Sequence, residues 1–300
     1  MGWLRTGWIV NLLLVLGVAG LAAYAIYKPK DEDSRPQHAI AALPPAQVKH
    51  VRIEPKGGTA LALRKEGEEW FLTEPIRARA DATQVARVLD LLNARSREKL
   101  AATELQRFDL DQPVVRVVYD DYPVTFGTLN PLSQEQYVHA GDSVYLLGSF
   151  YRSQVPERAE RVLTHALFRQ NEKPVAFRLQ AFTVEQREGK WQVAPAPKEQ
   201  PSQDDLNRWV DGWKLASSLL TQPANEKTVA REWVDVKLAD GGSVRLGIVE
   251  RAPQLILLRE DEKLTFHFSE EMSAQLLAAP SAPVPAPAPA SGTAPAAPAK

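Results

Sequence analysis

The feature that most constrains this chain is that it writes one passage twice. The stretch "EGEEWFLTEPIRARADATQVARVLDLL" (residues 66–92) is answered by "EGKWQVAPAPKEQPSQDDLNRWVDGW" (residues 188–213). At a shift of 121 positions Trp70 falls on Trp191. Val85, Val88, Leu89 and Leu92 then fall on Leu206, Trp209, Val210 and Trp213. These are i, i+3, i+4 and i+7 positions, the apolar stripe of an amphipathic helix. Asp81 and Ser202 stand where such helices need an N-cap.

The correspondence continues at a shift of 120. "VVRVVYDDYPVTFG" (114–127) aligns with "VDVKLADGGSVRLG" (234–247), and "YVHAGDSVYLL" (137–147) with "LLREDEKLTFH" (257–267). Each is an alternating or apolar run broken by turn residues, which predicts antiparallel hairpins. The expected fold is therefore α+β: two tandem duplicated units, residues 46–168 and 169–279, each an antiparallel sheet plus an amphipathic helix. The reading within a unit is strand, strand, helix, then a four-strand meander. A period this long excludes a solenoid.

Residues 8–27, "WIVNLLLVLGVAGLAAYAIY", carry no charge. Twenty helical residues reach roughly 30 Å, the thickness of a bilayer's hydrocarbon core. Trp3 and Trp8 before it, with Tyr24 and Tyr27 after, supply interfacial anchors. The expectation is a transmembrane helix over 8–27 behind a short cytoplasmic tail, 1–7, so that the lipid bilayer is the first partner. The run is longer than a signal peptide's apolar region, although Ala23-Tyr24-Ala25 has a cleavage-site form. The M-G-x-x-x-T start matches a myristoylation pattern, which a spanning helix so close by makes a chance match. Lys28, Lys30 and Arg35 vote for a cytoplasmic main domain, yet large domains translocate largely regardless of charge. Residues 28–45 read as a linker. Residues 280–300, "PSAPVPAPAPASGTAPAAPAK", read as a Pro/Ala-rich disordered tail.

Composition narrows the chemistry. Hydrophobic residues at 44% and charged residues at 24% are globular values, and a net charge of −1 disfavours a nucleic-acid partner. There is no cysteine, which excludes disulfides, thiolate nucleophiles and Cys-ligated metals. The five histidines, His38, His50, His139, His165 and His267, form no metal-ligand or nucleophile-elbow motif. The pairs Asp109/Asp111, Asp120/Asp121 and Asp204/Asp205 fall at turns or a helix start. No catalytic, cofactor or metal residue is assigned. Trp209 and Trp213, one turn apart, are the single candidate interaction surface; their alignment with Val88 and Leu92 favours core packing instead.

The order Trp70, Pro75, Val85–Leu92, Phe108–Pro113, Gly127, Pro131, Tyr137, Val138 and Val144–Leu147 resembles a bacterial family of domains of unknown function numbered 4340. The second half resembles it as a degenerate repeat, without the "FDLDQP" turn. The resemblance implies an inner-membrane, single-pass protein whose bulk is periplasmic, as in relatives associated with ABC-type export or gliding systems, and implies no catalytic residues. The expected function is a non-catalytic accessory or scaffold protein of an envelope or ABC-transporter-type complex. The alternatives are an envelope hydrolase with a site assembled at the interdomain cleft, and a glycan or ligand sensor using Trp209 and Trp213.

Overall fold

The computed structural model describes residues 14–19 and 37–280. Residues 14–19 are helical, with exposed apolar side chains. Most of the expected membrane span 8–27 lies outside the described residues, as do residues 28–36 and 281–300. Among the described residues, no helix is long and apolar enough to cross a membrane.

Within the stretch read as a linker, the described residues include β1 (His38–Ala39). Ile40 is buried in the first core, and its carbonyl accepts a 2.6 Å hydrogen bond from the Tyr122 hydroxyl. The chain entering from the N-terminal side is therefore pinned to the first sheet before residue 46.

The first half runs β2 (His50–Pro55), β3 (Leu61–Glu66), β4 (Glu69–Glu74), β5 (Ala78–Arg79), helix α1 (Ala82–Asp90), β6 (Arg95–Ser96) and β7 (Lys99–Ala101). It continues through β8 (Val115–Tyr119), β9 (Tyr122–Leu129), β10 (Glu135–Ala140) and β11 (Ser143–Gly148) to a short helix α2 (Ser149–Gln154). These strands build one antiparallel sheet in the order β5-β4-β3-β2-β8-β9-β10-β11-β7, while β1 pairs only with β6.

The second half runs β12 (Pro174–Arg178), β13 (Thr183–Arg187), β14 (Lys190–Ala194), helix α3 (Gln203–Lys214), β15 (Leu220–Pro223), β16 (Glu232–Leu238), β17 (Ser243–Glu250), β18 (Leu255–Arg259), β19 (Leu264–Phe268) and helix α4 (Glu270–Leu277). Its sheet order is β14-β13-β12-β16-β17-β18-β19-β15. Apart from β5, the two sheets are connected in the same order. The architecture is α+β, mostly antiparallel sheet with a few helices.

The elements form where the local chemistry asks for them. In α1 the Asp81 carboxylate accepts from the Gln84 amide at 2.9 Å. In α3 Ser202 and Asp205 make a reciprocal capping box. Val85 and Val88 turn the apolar face of α1 onto Val51, Ile53, Leu63, Val117 and Phe126. Burying each such side chain contributes roughly 1.5–3 kcal/mol. Leu206, Trp209, Val210 and Trp213 do the same for the second sheet.

Each sheet keeps its other face polar. Arg52 bonds Glu54 along β2 and Glu74 on β4 of the first sheet. Arg245 contacts Asp235 and Glu260 on the second and stacks 4.0 Å over Trp233. Exposed ion pairs of this kind contribute about 0–1 kcal/mol each.

The structure departs from the expected element list in three ways. Four strands of the first sheet, β2–β5, precede its long helix and three, β12–β14, precede that of the second, where two were expected. An edge strand, β7 or β15, follows the helix. A short helix, α2 or α4, closes each half. The edge strands carry no alternation to read: Lys99–Ala101 is exposed throughout, and Leu220–Pro223 buries only Thr221.

Candidate functional site

The tryptophan stripe comes first, because it was the candidate surface. Trp209 is 6% exposed and Trp213 is 0% exposed. Both pack against Phe177, with ring centroids 5.3 and 5.5 Å away. Each indole N–H donates to a carbonyl that holds α4 in place: Trp209 Nε1 to Ala278 at 2.9 Å and Trp213 Nε1 to Leu276 at 3.1 Å. A buried indole with its one donor satisfied is a core anchor. Neither ring offers a free face for stacking a sugar.

What sits between the halves is a buried charge cluster. Arg79 leaves β5 and reaches the second half through Nε, which donates to Glu262 Oε1 at 2.6 Å, while Nη2 donates to the carbonyls of Ala166 and Leu167 at the end of the first unit. Arg169 joins the same Glu262 oxygen at 3.1 Å. Arg259, at the end of β18 and fully buried, grips Glu172 with Nη1 and Nη2 at 2.9 and 2.5 Å. It also bonds both Asp261 oxygens and the Leu167 carbonyl.

Three arginines thus face three carboxylates, so the cluster is neutral and holds no surplus charge for a ligand. Burial pushes the Glu172 carboxyl up, but Arg259 and the Arg169 amide outweigh it and hold the group below its usual range. The same opposition, burial against Arg259, holds Asp261 low. Burial works against the Arg259 guanidinium too, yet Glu172 and Asp261 raise it above its ordinary value. Glu262 Oε2 is the one buried oxygen here without a hydrogen-bond partner. Around the cluster the halves are also joined by backbone, where Ala166 bridges Ser217, while Ala80 bridges Leu163 within the first unit.

A cleft of about 710 Å³ opens beside the junction. Arg169 and Glu172 lie in its wall, with Trp191, Lys173, Lys214 and Leu215 around them. Both arms of the interdomain chemistry visible in its wall are already committed to each other or to Arg259 and Glu262.

A second polar chain lies nearby. His165 Nδ1 is 3.0 Å from the Ser218 carbonyl and 3.3 Å from its hydroxyl. That hydroxyl lies 2.8 Å from Thr221 Oγ1, which donates to the Thr164 carbonyl. A carbonyl only accepts, so His165 Nδ1 carries the proton and is not the base for Ser218. The buried Ser–His contact knits the halves together rather than activating a nucleophile.

The other singled-out residues are placed by structure too. Asp120 accepts from the amides of Lys49 and His50 and meets His50 Nδ1 at 3.1 Å, fixing the β8–β9 turn to β2. Asp240 accepts from the Gly242 amide in the β16–β17 turn. Asp109 sits in the left-handed region and ends a 3₁₀ turn. Asp205 is held low by the Ser202 hydroxyl, its capping-box partner. His267 is partly buried, and burial lowers its pKa despite Glu250. His139 lies on β10 and His38 on β1. These groups are scattered, and among the described residues no three His, Asp or Glu groups converge to hold a metal ion.

Sequence reasoning missed the junction altogether. Its six charged residues come from three separate stretches of chain, Arg79, Arg169 with Glu172, and Arg259-Glu260-Asp261-Glu262. The single available signal was Arg79 on a two-residue strand just before a helix, where solvent-facing charge carries no distinguishing mark.

A family model described as a domain of unknown function, DUF4340, matches residues 70–236. The matched stretch starts at Trp70 on β4, passes through α1, Arg79 and the joining segment with Arg169 and Glu172, and ends on β16. It therefore takes in parts of both sheets and Arg79, Arg169 and Glu172 of the junction, while Arg259, Asp261 and Glu262 lie beyond it. No curated protein and no solved structure matches the chain. With more than half of its length inside that match, the chain belongs to the DUF4340 family of domains of unknown function.

Proposed function

We propose that this chain is a membrane-tethered, non-catalytic scaffold in a bacterial envelope complex. Two units derived from one duplicated α+β ancestor serve as a single rigid platform. The apolar segment at residues 8–27 is the tether, and the bulk of the chain works on the periplasmic side of the inner membrane. The partner is an envelope protein, of the kind that assembles with an ABC-type transporter.

The observation that carries this reading is the interdomain charge cluster. In many enzymes the cleft between two units holds ionisable groups facing substrate. Here Arg79, Arg169 and Arg259 are spent on Glu172, Asp261 and Glu262, and the Arg79–Glu262 pair ties the first unit to a charge network of the second. A joint of this type serves geometry rather than turnover. The shared order of strands in the two sheets supports the duplication.

The test is purification of the full chain at native expression level from membranes in mild detergent, followed by mass spectrometry. The scaffold reading expects a stoichiometric envelope partner that remains after washing. A protein that emerges alone from several detergents, and after crosslinking, contradicts it.

A further inference from the structure

Each half carries a surface groove between its long and short helices. In the first half it is about 330 Å³, between α1 and α2; in the second it is about 550 Å³, between α3 and α4. Counted from the helix N-caps, Asp81 and Ser202 for the long helices and Gly148 and Ser269 for the short ones, six positions line both, while Phe150 lines only the first and Gly212 and Leu215 only the second. Thr83, Ala86, Arg87, Asp90, Tyr151 and Gln154 line the first. Asp204, Asn207, Arg208, Asp211, Met272 and Gln275 stand at the same positions in the second.

Three of these positions keep their residue: Arg87 and Arg208, Asp90 and Asp211, Gln154 and Gln275. They are also the three identities shared by the paired helices over residues 82–94 and 203–215, and over 149–154 and 270–275. The buried positions differ throughout, with Val85, Val88 and Leu92 replaced by Leu206, Trp209 and Trp213. What the halves share on these helices is therefore a surface and not a core.

Helix stability accounts for that only in part, through one i,i+3 contact at each of the four charged residues. Asp90 is the last residue of α1, and Asp211 lies in the last turn of α3. A carboxylate there faces the negative end of the helix dipole, which is unfavourable. Each aspartate is met from three residues on, by Asn93 at 3.0 Å and Lys214 at 3.4 Å. Each arginine reaches three residues back, to Gln84 at 3.4 Å and Asp205 at 3.1 Å. All four groove charges are exposed. The rims are apolar: Phe150, 63% exposed, in the first groove, and Leu215, 80% exposed, in the second.

From this repeated surface we infer that the two grooves are equivalent docking sites for two copies of one protein segment. That segment is a short amphipathic helix supplied twice by the partner, as by a homodimer or a tandem repeat. Its apolar face lies against the Phe150 or Leu215 rim. A carboxylate one turn from a basic residue meets the Arg and the Asp in each groove, the charge complement of an i, i+3 pair. Gln154 and Gln275 supply an amide at the floor. This inference rests on the scaffold reading and says where on the platform the partner sits.

The test places a photo-crosslinking amino acid at Ala86, at Asn207, or at the remote hairpin tip residue Leu132, in the full chain in its native membranes. Positions 86 and 207 are predicted to capture the same polypeptide. Arg87→Glu lowers the yield at 86 about tenfold and leaves 207 intact, and Arg208→Glu does the reverse. Different polypeptides at 86 and 207, an adduct between two copies of this chain, or yields insensitive to both charge reversals overturn the inference. Capture at Leu132 with none at 86 or 207 overturns it while leaving the scaffold reading standing. No capture at any position overturns both.

Discussion

Arg79 and Glu262 stand 183 positions apart in the chain, yet their side chains meet at 2.6 Å with 7% and 6% of their surfaces exposed. One belongs to the edge of the first sheet, the other to the β18–β19 turn of the second. Their contact, with Arg259 and Glu172 beside it, adds a charged tie to two sheets whose buried apolar residues form one cluster.

Removing one member of this pair is predicted to be costly. Arg79→Ala leaves Glu262 buried with Arg169 and, at 3.6 Å, Arg259 to answer it, and should destabilise the fold by about 3–5 kcal/mol. Replacing both Arg79 and Glu262 by leucine should recover a large part of that loss, because no uncompensated charge remains. Urea denaturation of the two singles and the double gives the coupling energy.

The junction also predicts acid sensitivity. Glu172 and Asp261 are held below their ordinary range in the folded protein, so their contribution is fully present above the unfolded values, about 4.3 and 3.9. It is lost as pH falls through the lower folded values. Melting temperature should therefore drop from pH 5 toward pH 3, and Glu172→Gln should flatten part of that slope. An identical pH profile in the variant contradicts the assignment.

At Gly127 the limit is space and not backbone conformation. A Cβ there would lie 2.0 Å from the Phe108 carbonyl oxygen and 3.0 Å from Leu110, because the 105–110 turn lies directly on β9. Gly127→Ala should cost about 1–3 kcal/mol or displace that turn. Gly148→Ala, with nothing within 4 Å, is the matched control and should be close to neutral by thermal melting.

The buried indoles make a fourth prediction. Trp213→Ala should cost about 3–5 kcal/mol through the cavity it leaves. Because neither Trp209 nor Trp213 offers a face to solvent, iodide should quench their fluorescence poorly, and soluble glycans should leave their emission unshifted. A glycan-induced shift assigned to either residue contradicts their placement.

Much of this fold is legible in the residues, and the reasons differ by element. The α1 and α3 stripes, their caps at Asp81 and Ser202, and the β8–β11 and β16–β19 hairpins are local signals of periodicity and turn chemistry. The strands β7 and β15 are not, because short exposed edges take their conformation from the neighbour they pair with. The junction is unreadable for a different reason: Arg79, Glu172 and Arg259 resemble any surface charges until the chain brings them together. The paired grooves lie between these cases. Arg87 and Arg208 are visible in the aligned sequences, but Gln154 and Gln275 join them only once the short helices are placed.

The central claim, one rigid platform made of two units, is most directly tested by pulsed electron–electron double resonance. The chain has no cysteine, so labels at Arg116→Cys on β8 and Lys237→Cys on β16 are unambiguous. Both positions are exposed and lie on inner strands of their sheets. The account predicts a single narrow distance distribution that broadens when Arg79→Ala is added. A distribution that is already broad or multimodal with the junction intact would contradict it.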